Sequence, residues 1–253
     1  MSFAVSFPVM LRTKDGVRID AAHTPSRGPG DLCVVLAHGF TGAWRERTSR
    51  RIAHVFSGFG GVVAFDFRGH GRSGGHSTVG DEEVLDVDAA VRHARTLGYA
   101  RVAVVGFSMG AAVAVRHAAL HGGVDAVVSV SGPGRWYYRG TVPMRRVHWA
   151  MEQRLGRAAA RLVKGTRIRS TGWDPVPLAP YEAAPLVSPT PLLVVHGDSD
   201  AFFPIDHAHQ IYDAATEPKE LWIEEGYGHA ESAATPDLIR RIGRWVSASV
   251  VAP

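Results

Sequence analysis

Short apolar runs alternate with longer stretches of helical periodicity along most of the chain. Runs rich in Val, Ile and Leu predict strands at Val5–Leu11, Val17–His23, Leu32–Ala37, Val62–Phe65, Val102–Val105, Ala126–Val130, Leu192–Val195 and Glu220–Ile223. The turn Lys14-Asp15-Gly16 joins the first two as a hairpin. From Leu32 onward nearly every run is apolar throughout, the pattern of parallel strands covered on both faces. Helical patterns fall between them, at Trp44–Phe56, Asp81–Leu97, Met109–Leu120, Asp206–Ala215 and Pro236–Ser249. The alternation predicts an α/β fold with a mostly parallel, eight-stranded sheet and helices on both faces.

One segment breaks the rhythm. Between Ser131 and Pro191 about sixty residues pass without a core strand, too long for an ordinary connection. An insertion of that length is either a lid or a separate function, and the expected division is a core of residues 1–132 and 190–253 with a helical lid at 133–189. Its main helix is predicted over Met144–Lys164, before an exit rich in proline (Pro175, Pro177, Pro180, Pro185, Pro189). On a helical wheel Met144, Val147, Met151, Leu155, Ala158 and Leu162 fall within a wedge of roughly 80°. Arg146, Arg154, Arg157, Arg161 and Lys164 fill a neighbouring arc of about 80°. The expectation is one face packed on the body and a cationic flank.

Composition changes this picture little until charge is mapped. The 253 residues are 45% hydrophobic and 21% charged, which excludes intrinsic disorder. Cys33 is the single cysteine, so a disulfide framework is excluded, and its apolar run makes it a small buried hydrophobe. The first cation, Arg12, follows the apolar N-terminal stretch, the wrong order for a secretory signal. Apolar runs stay well short of the roughly 18 residues that a membrane helix needs, so a cytoplasmic protein with no membrane span is expected. Net charge is +4, but residues 134–172 hold ten cations against Glu152 alone. The remainder is acidic, which argues against a general nucleic-acid binder. A basic lid suits an anionic substrate or partner such as an acyl carrier protein, a coenzyme A ester or a free carboxylate.

The chemistry gathers at strand ends. Gly106-Phe107-Ser108-Met109-Gly110 follows the run Arg101–Val105 and opens a helix, the strand–turn–helix context of a nucleophile elbow. Small residues two positions either side of the serine let strand and helix backbones approach closely. His38-Gly39-Phe40 follows another strand, so the amides of Phe40 and Met109 form the natural oxyanion pair. The strand at Leu192–Val195 runs into His196-Gly197-Asp198-Ser199-Asp200, offering Asp198 or Asp200 as a carboxylate, and His229 follows the last strand. A weak alcohol nucleophile needs a base, and the base needs an orienting carboxylate. The aromatic group Trp136-Tyr137-Tyr138 either walls an acyl pocket or packs the lid onto the body.

These motifs together, with Asp66-Phe67-Arg68-Gly69-His70-Gly71-Arg72-Ser73, resemble the α/β-hydrolase superfamily from about Phe3 to Val251. The resemblance implies an α/β-hydrolase fold with Ser108 as nucleophile, His229 as general base and Asp200, four residues after His196, as the acid. It implies a cofactor-free serine hydrolase acting on a small-molecule ester, while the aromatic group and the cationic arc make Trp136, Tyr137 and Arg154 the substrate-binding candidates. Thioesterase, peptidase and carbon–carbon hydrolase chemistry use the same residues, and a ligand-binding relative without turnover is the non-enzymatic alternative. A serine at this position argues against dehalogenase and epoxide hydrolase relatives.

Two other motifs lead elsewhere. Gly69-His70-Gly71-Arg72-Ser73-Gly74 matches a dinucleotide loop, but the next helix pattern starts only near Asp81, so a loop at the site rim is expected. His117 and His121, one helical turn apart, lack an adjacent glutamate or third ligand, and no metal is expected.

Overall fold

The computed structural model describes residues 3–28 and 30–250. Eight strands form one sheet: β1 (Phe7–Arg12), β2 (Arg18–Thr24), β3 (Leu32–Ala37), β4 (Gly61–Phe65), β5 (Arg101–Phe107), β6 (Ala126–Val130), β7 (Leu192–Gly197) and β8 (Lys219–Glu224). Their order across the sheet is β1-β2-β4-β3-β5-β6-β7-β8. β1 and β2 pair antiparallel, as do β2 and β4, and every other pairing is parallel. Every residue of β3, β4, β6 and β7 is buried, as their unbroken apolar runs require.

Helices cover both faces. On one, Val34, Leu36, Val105 and Phe107 pack with α1 (Arg47–Phe56) and α9 (Pro236–Ser249) through Ile52, Phe56, Ile239 and Ile242. On the other, Val35, Val63, Val102 and Val104 meet α2 (Val84–Thr96) and α3 (Met109–His121). Ten of the thirteen residues of α3 are buried, so the helix opening at Ser108 is embedded in the core. Cys33 is fully buried, and burial pushes its thiol up to about 12. No helix among the described residues is long and apolar enough to cross a membrane.

Element starts differ from expectation where polar side chains claim the backbone. The second helix begins at Val84 rather than Asp81, because the buried Glu83 carboxylate accepts amides from Thr78, Val79 and Gly80. It also takes the hydroxyls of Ser77 and Thr78, so the chain wraps around Glu83 before turning helical. The first helix starts at Arg47 rather than Trp44, since Glu46 is still extended.

The segment between β6 and β7 departs furthest from the expected helix over Met144–Lys164. It holds two helices, α4 (Val142–Glu152) and α5 (Arg154–Lys164), separated at Gln153 with φ −94° and ψ 140°. The single wedge of apolar residues is therefore split. Met144, Val147 and Met151 on α4 turn inward, whereas Leu155 and Leu162 on α5 are exposed. Gly156 and Ala160 make the buried seam of α5 instead. A Cβ on Gly156 would collide with the carbonyl of Trp149, so this glycine is what lets α5 fold back on α4. Short α6 (Pro180–Ala183) and a 3-10 turn at Ala184–Val187 lead to β7, followed by α7 (Asp206–Ala214) and, after β8, short α8 (Ala230–Ala233).

The loop after β4 anchors this segment. Arg167 N–H donates to Gly69 O at 2.7 Å, Ser77 N–H to Arg167 O at 2.7 Å and Trp173 Nε1–H to Thr78 O at 2.7 Å. A side chain on Gly69 would strike Arg167 O and Ser77 N. The glycine-rich run is thus a docking strip for the segment. Below it, Arg68 is buried with three carboxylates around it: Asp86 at 2.9 Å, Asp15 at 2.9 Å and Glu82 at 2.7 Å. Burial works against the guanidinium charge, but Asp86 and Asp15 outweigh it and hold the pKa above its ordinary value. Arg68→Met is expected to lower stability by about 3–5 kcal/mol, because the Asp86 carboxylate is left buried and unpaired. Urea denaturation reads this, and a loss below about 1 kcal/mol would match a surface pair instead.

Candidate active site

Four loops meet at the C-terminal ends of the parallel strands, where ligands bind in open α/β sheets. The β5–α3 turn carries Ser108 at φ 51° and ψ −116°, a region that non-glycine residues rarely occupy. Gly106 and Gly110 make the turn possible. A Cβ on the first would strike Gly110 O, and one on the second the carbonyl of Ala37 on β3. The serine hydroxyl is thereby held above the sheet at the N-terminus of α3, where the helix contributes positive potential.

His229 follows β8, and its Nε2 lies 2.9 Å from Ser108 Oγ. Its Nδ1 lies 2.7 Å from Asp200 Oδ2 in the loop after β7. The other Asp200 oxygen accepts the amides of Phe202 at 2.8 Å and Phe203 at 3.1 Å. Burial raises the Asp200 carboxyl, but the hydrogen bond and charge of His229, with these amides, more than reverse it and hold its pKa below the usual carboxylate value. Phe202 stacks on the His229 ring at 4.2 Å between centroids, and the Ala230 amide donates to Ser131 Oγ at 3.1 Å. The imidazole is fixed from three sides. Asp198 is exposed and engaged with Gly226 N–H at 2.8 Å and Ser199 Oγ at 3.0 Å, away from His229.

Phe40 and Met109 both border the cavity beside Ser108, and among the described residues neither amide has a protein acceptor. The loop bearing Phe40 is held by two side chains. His38 accepts the Phe67 amide at Nε2, 3.0 Å, so its Nδ1–H donates to Gly39 O at 2.7 Å. Burial lowers the His38 pKa to about 4, which keeps this neutral tautomer in place.

The second side chain, Glu231, was not singled out by the sequence. Its Oε1 accepts Gly39 N–H at 2.6 Å, and burial raises its carboxyl above the ordinary value. An acid two residues after a histidine carries no sequence signal; only the fold brings α8 against the β3 loop. Glu231→Ala leaves the Gly39 amide without its acceptor, and kcat is expected to fall about tenfold, in line with one lost buried hydrogen bond. Glu231→Gln should recover most of it, because the amide oxygen accepts the same bond. Steady-state kinetics of both variants checks this, and a Gln variant as slow as Ala would shift the role to the charge.

Above Ser108 and His229 opens a cavity of about 1030 Å³, at the upper end of small-molecule sites. Its walls come from the strand-end loops and from α4, α5 and residues 168–173. Trp136 and Tyr137 both line it and pack on Trp173, at 5.1 and 5.6 Å between centroids, so they wall the cavity and dock the segment together. Arg154, the third expected substrate-binding residue, is exposed and lies outside the lining. Arg146, Arg157 and Lys164 are the cations of α4 and α5 that reach it.

A serine hydroxyl aligned with a base, an orienting carboxylate and two free amides is an arrangement able to perform acyl transfer. The chain belongs to the alpha/beta hydrolase family, whose model matches residues 34–241. It is 30% identical to a monoacylglycerol lipase of Mycolicibacterium smegmatis over 247 residues, spanning 81% of this chain and 83% of that protein. In fold it is similar to the Pyrococcus furiosus esterase Pf2001, with a TM-score of 0.76, 23% identity and coverage of 97% and 93%. The esterase domain of a Rhodothermus marinus protein is similar at a TM-score of 0.68 and 18% identity, covering 96% of this chain and 97% of that one.

Proposed function

We propose that the protein is a serine hydrolase that cleaves a carboxylic ester through an acyl-enzyme on Ser108. The observation that carries this reading is the unbroken hydrogen-bonded series Asp200–His229–Ser108 at the floor of a large cavity. His229 takes the hydroxyl proton as Ser108 Oγ attacks the ester carbonyl, and the imidazolium that forms is stabilised by Asp200. The Phe40 and Met109 amides bind the tetrahedral oxyanion, an effect of about 3–4 kcal/mol per donor in comparable sites. His229 then protonates the departing alcohol, and water enters by the same route to release the acid.

The cavity and the lipase relative favour an ester with a sizeable apolar acyl group, and residues 133–189 act as its lid. Incubation with a fluorophosphonate is expected to add one adduct, on Ser108, by intact mass and peptide mapping. No adduct, or one elsewhere, would sink the reading. A thioester bearing negative charge is a second substrate class, favoured by Arg146 and Lys164. Both line the cavity without a carboxylate partner among the described residues. Hydrolysis of an acyl-coenzyme A faster than of the matched neutral ester would select it.

A further inference from the structure

α5 presents to solvent what a buried helix would hide. Leu155, Leu162 and Val163 are 78%, 85% and 77% exposed, among the most exposed large apolar side chains of the described residues. With Ala159 they span about 100° of the helix wheel. The buried seam, Gly156 and Ala160, lies on the opposite flank from Ala158, which is also exposed. Beyond Ala158, Arg154 and Arg161 continue the outward surface. The outer side of α5 therefore carries a leucine pair beside an arginine pair along a helix about 16 Å long.

Three further observations bear on what covers this surface. α5 contains no acidic residue, and among the described residues Arg154, Arg161 and Lys164 pair with no carboxylate. Glu152, the nearest acid in sequence, is already engaged by Arg139 and by His148 at 2.8 Å. Lastly, Val163 and Lys164 line the cavity above Ser108, as does half-exposed Trp149, whose carbonyl abuts Gly156. The exposed face is continuous with the rim of the cavity.

We propose that α5 is a docking surface for an anionic lipid bilayer. Its leucines and Val163 enter the interface, and Arg154 and Arg161 contact acidic headgroups. Apolar side chains beside unpaired cations on a short, exposed helix are the chemistry that such an interface recognises. A uniformly acidic protein surface would use the cations but give three exposed aliphatic side chains no apolar medium. Docking in this orientation turns the cavity rim toward the bilayer. It stands apart from the chemistry proposed at Ser108, so the two readings fail separately.

Co-sedimentation of the Ser108→Ala protein with vesicles tests it without turnover. Vesicles of phosphatidylglycerol and phosphatidylcholine in equal parts are expected to bind at least about tenfold more tightly than phosphatidylcholine alone, and added salt should erode the difference. Leu155→Asp with Leu162→Asp should weaken binding by about tenfold or more, and Arg161→Gln by about fivefold. These side chains are exposed and lie outside the cavity. In the Ser108 background the same variants should keep the melting temperature and the activity on a soluble short-chain ester. Equal binding to both vesicle types, no binding, or no effect of the leucine changes would overturn the proposal. So would a dimer broken by Leu162→Asp, which would assign the face to a second copy. Capture by an acidic acyl carrier protein without vesicle binding would assign the cations to a protein surface.

Discussion

Replacing Ser108 with alanine is expected to lower kcat on any ester the protein turns over by about 10⁶-fold, leaving KM little changed. The oxygen removed is the one aligned with His229 Nε2 at 2.9 Å, so no acyl-enzyme forms without it. The pocket, its two amides and the His229–Asp200 pair remain, which is why binding should survive. Steady-state assays with p-nitrophenyl esters measure the loss, with fluorophosphonate labelling as a check for contaminating enzyme. A variant within about tenfold of the parent rate would show that chemistry proceeds elsewhere.

Asp200→Asn should cost about 10⁴-fold in kcat, whereas Asp198→Asn should leave it unchanged. An amide at position 200 can donate to His229 Nδ1, which turns the ring to the tautomer whose Nε2 carries a proton and no longer serves as base. Asp198 instead accepts from Gly226 N–H in the loop after β8 and from Ser199 Oγ, bonds that the side-chain oxygen of an asparagine also accepts. Because the Asp200 pKa lies below the ordinary carboxylate value, this group stays ionised wherever a histidine is neutral. The pair of variants separates two acids that stand two residues apart. Equal losses in both would falsify the assignment.

Much of this was legible in the chain because its signals are local. A run such as Leu32–Ala37, too short for a helix and ended by Gly39, reads as a strand buried on both faces, and the glycines around Ser108 specify one kind of turn. Chain order then carried Asp200 and His229 to neighbouring strand ends, where the structure brings them to Ser108. The helix over Met144–Lys164 failed for a physical reason. Nothing at Gln153 resembles a breaker, and the wheel treats Gly156 as a gap rather than as the point where two helices touch. The cationic arc was therefore drawn across a helix that does not exist, and Arg154 was assigned to the cavity when only its neighbours on α5 reach it. Glu231 and Glu83 escaped notice for a related reason. Each is an ordinary acid in sequence, and its importance comes from backbone amides delivered by distant or irregular chain.

The backbone at Ser108 sets the cost of a strained turn against the placing of one hydroxyl. Holding a side chain at φ 51° costs about 1–3 kcal/mol, which the glycines beside it and the embedded α3 must offset. Glycine at 108 would adopt the same turn freely, so the fold itself favours a molecule without this hydroxyl. Random substitution followed by selection for heat resistance alone should therefore erase this serine early, unless turnover is selected as well.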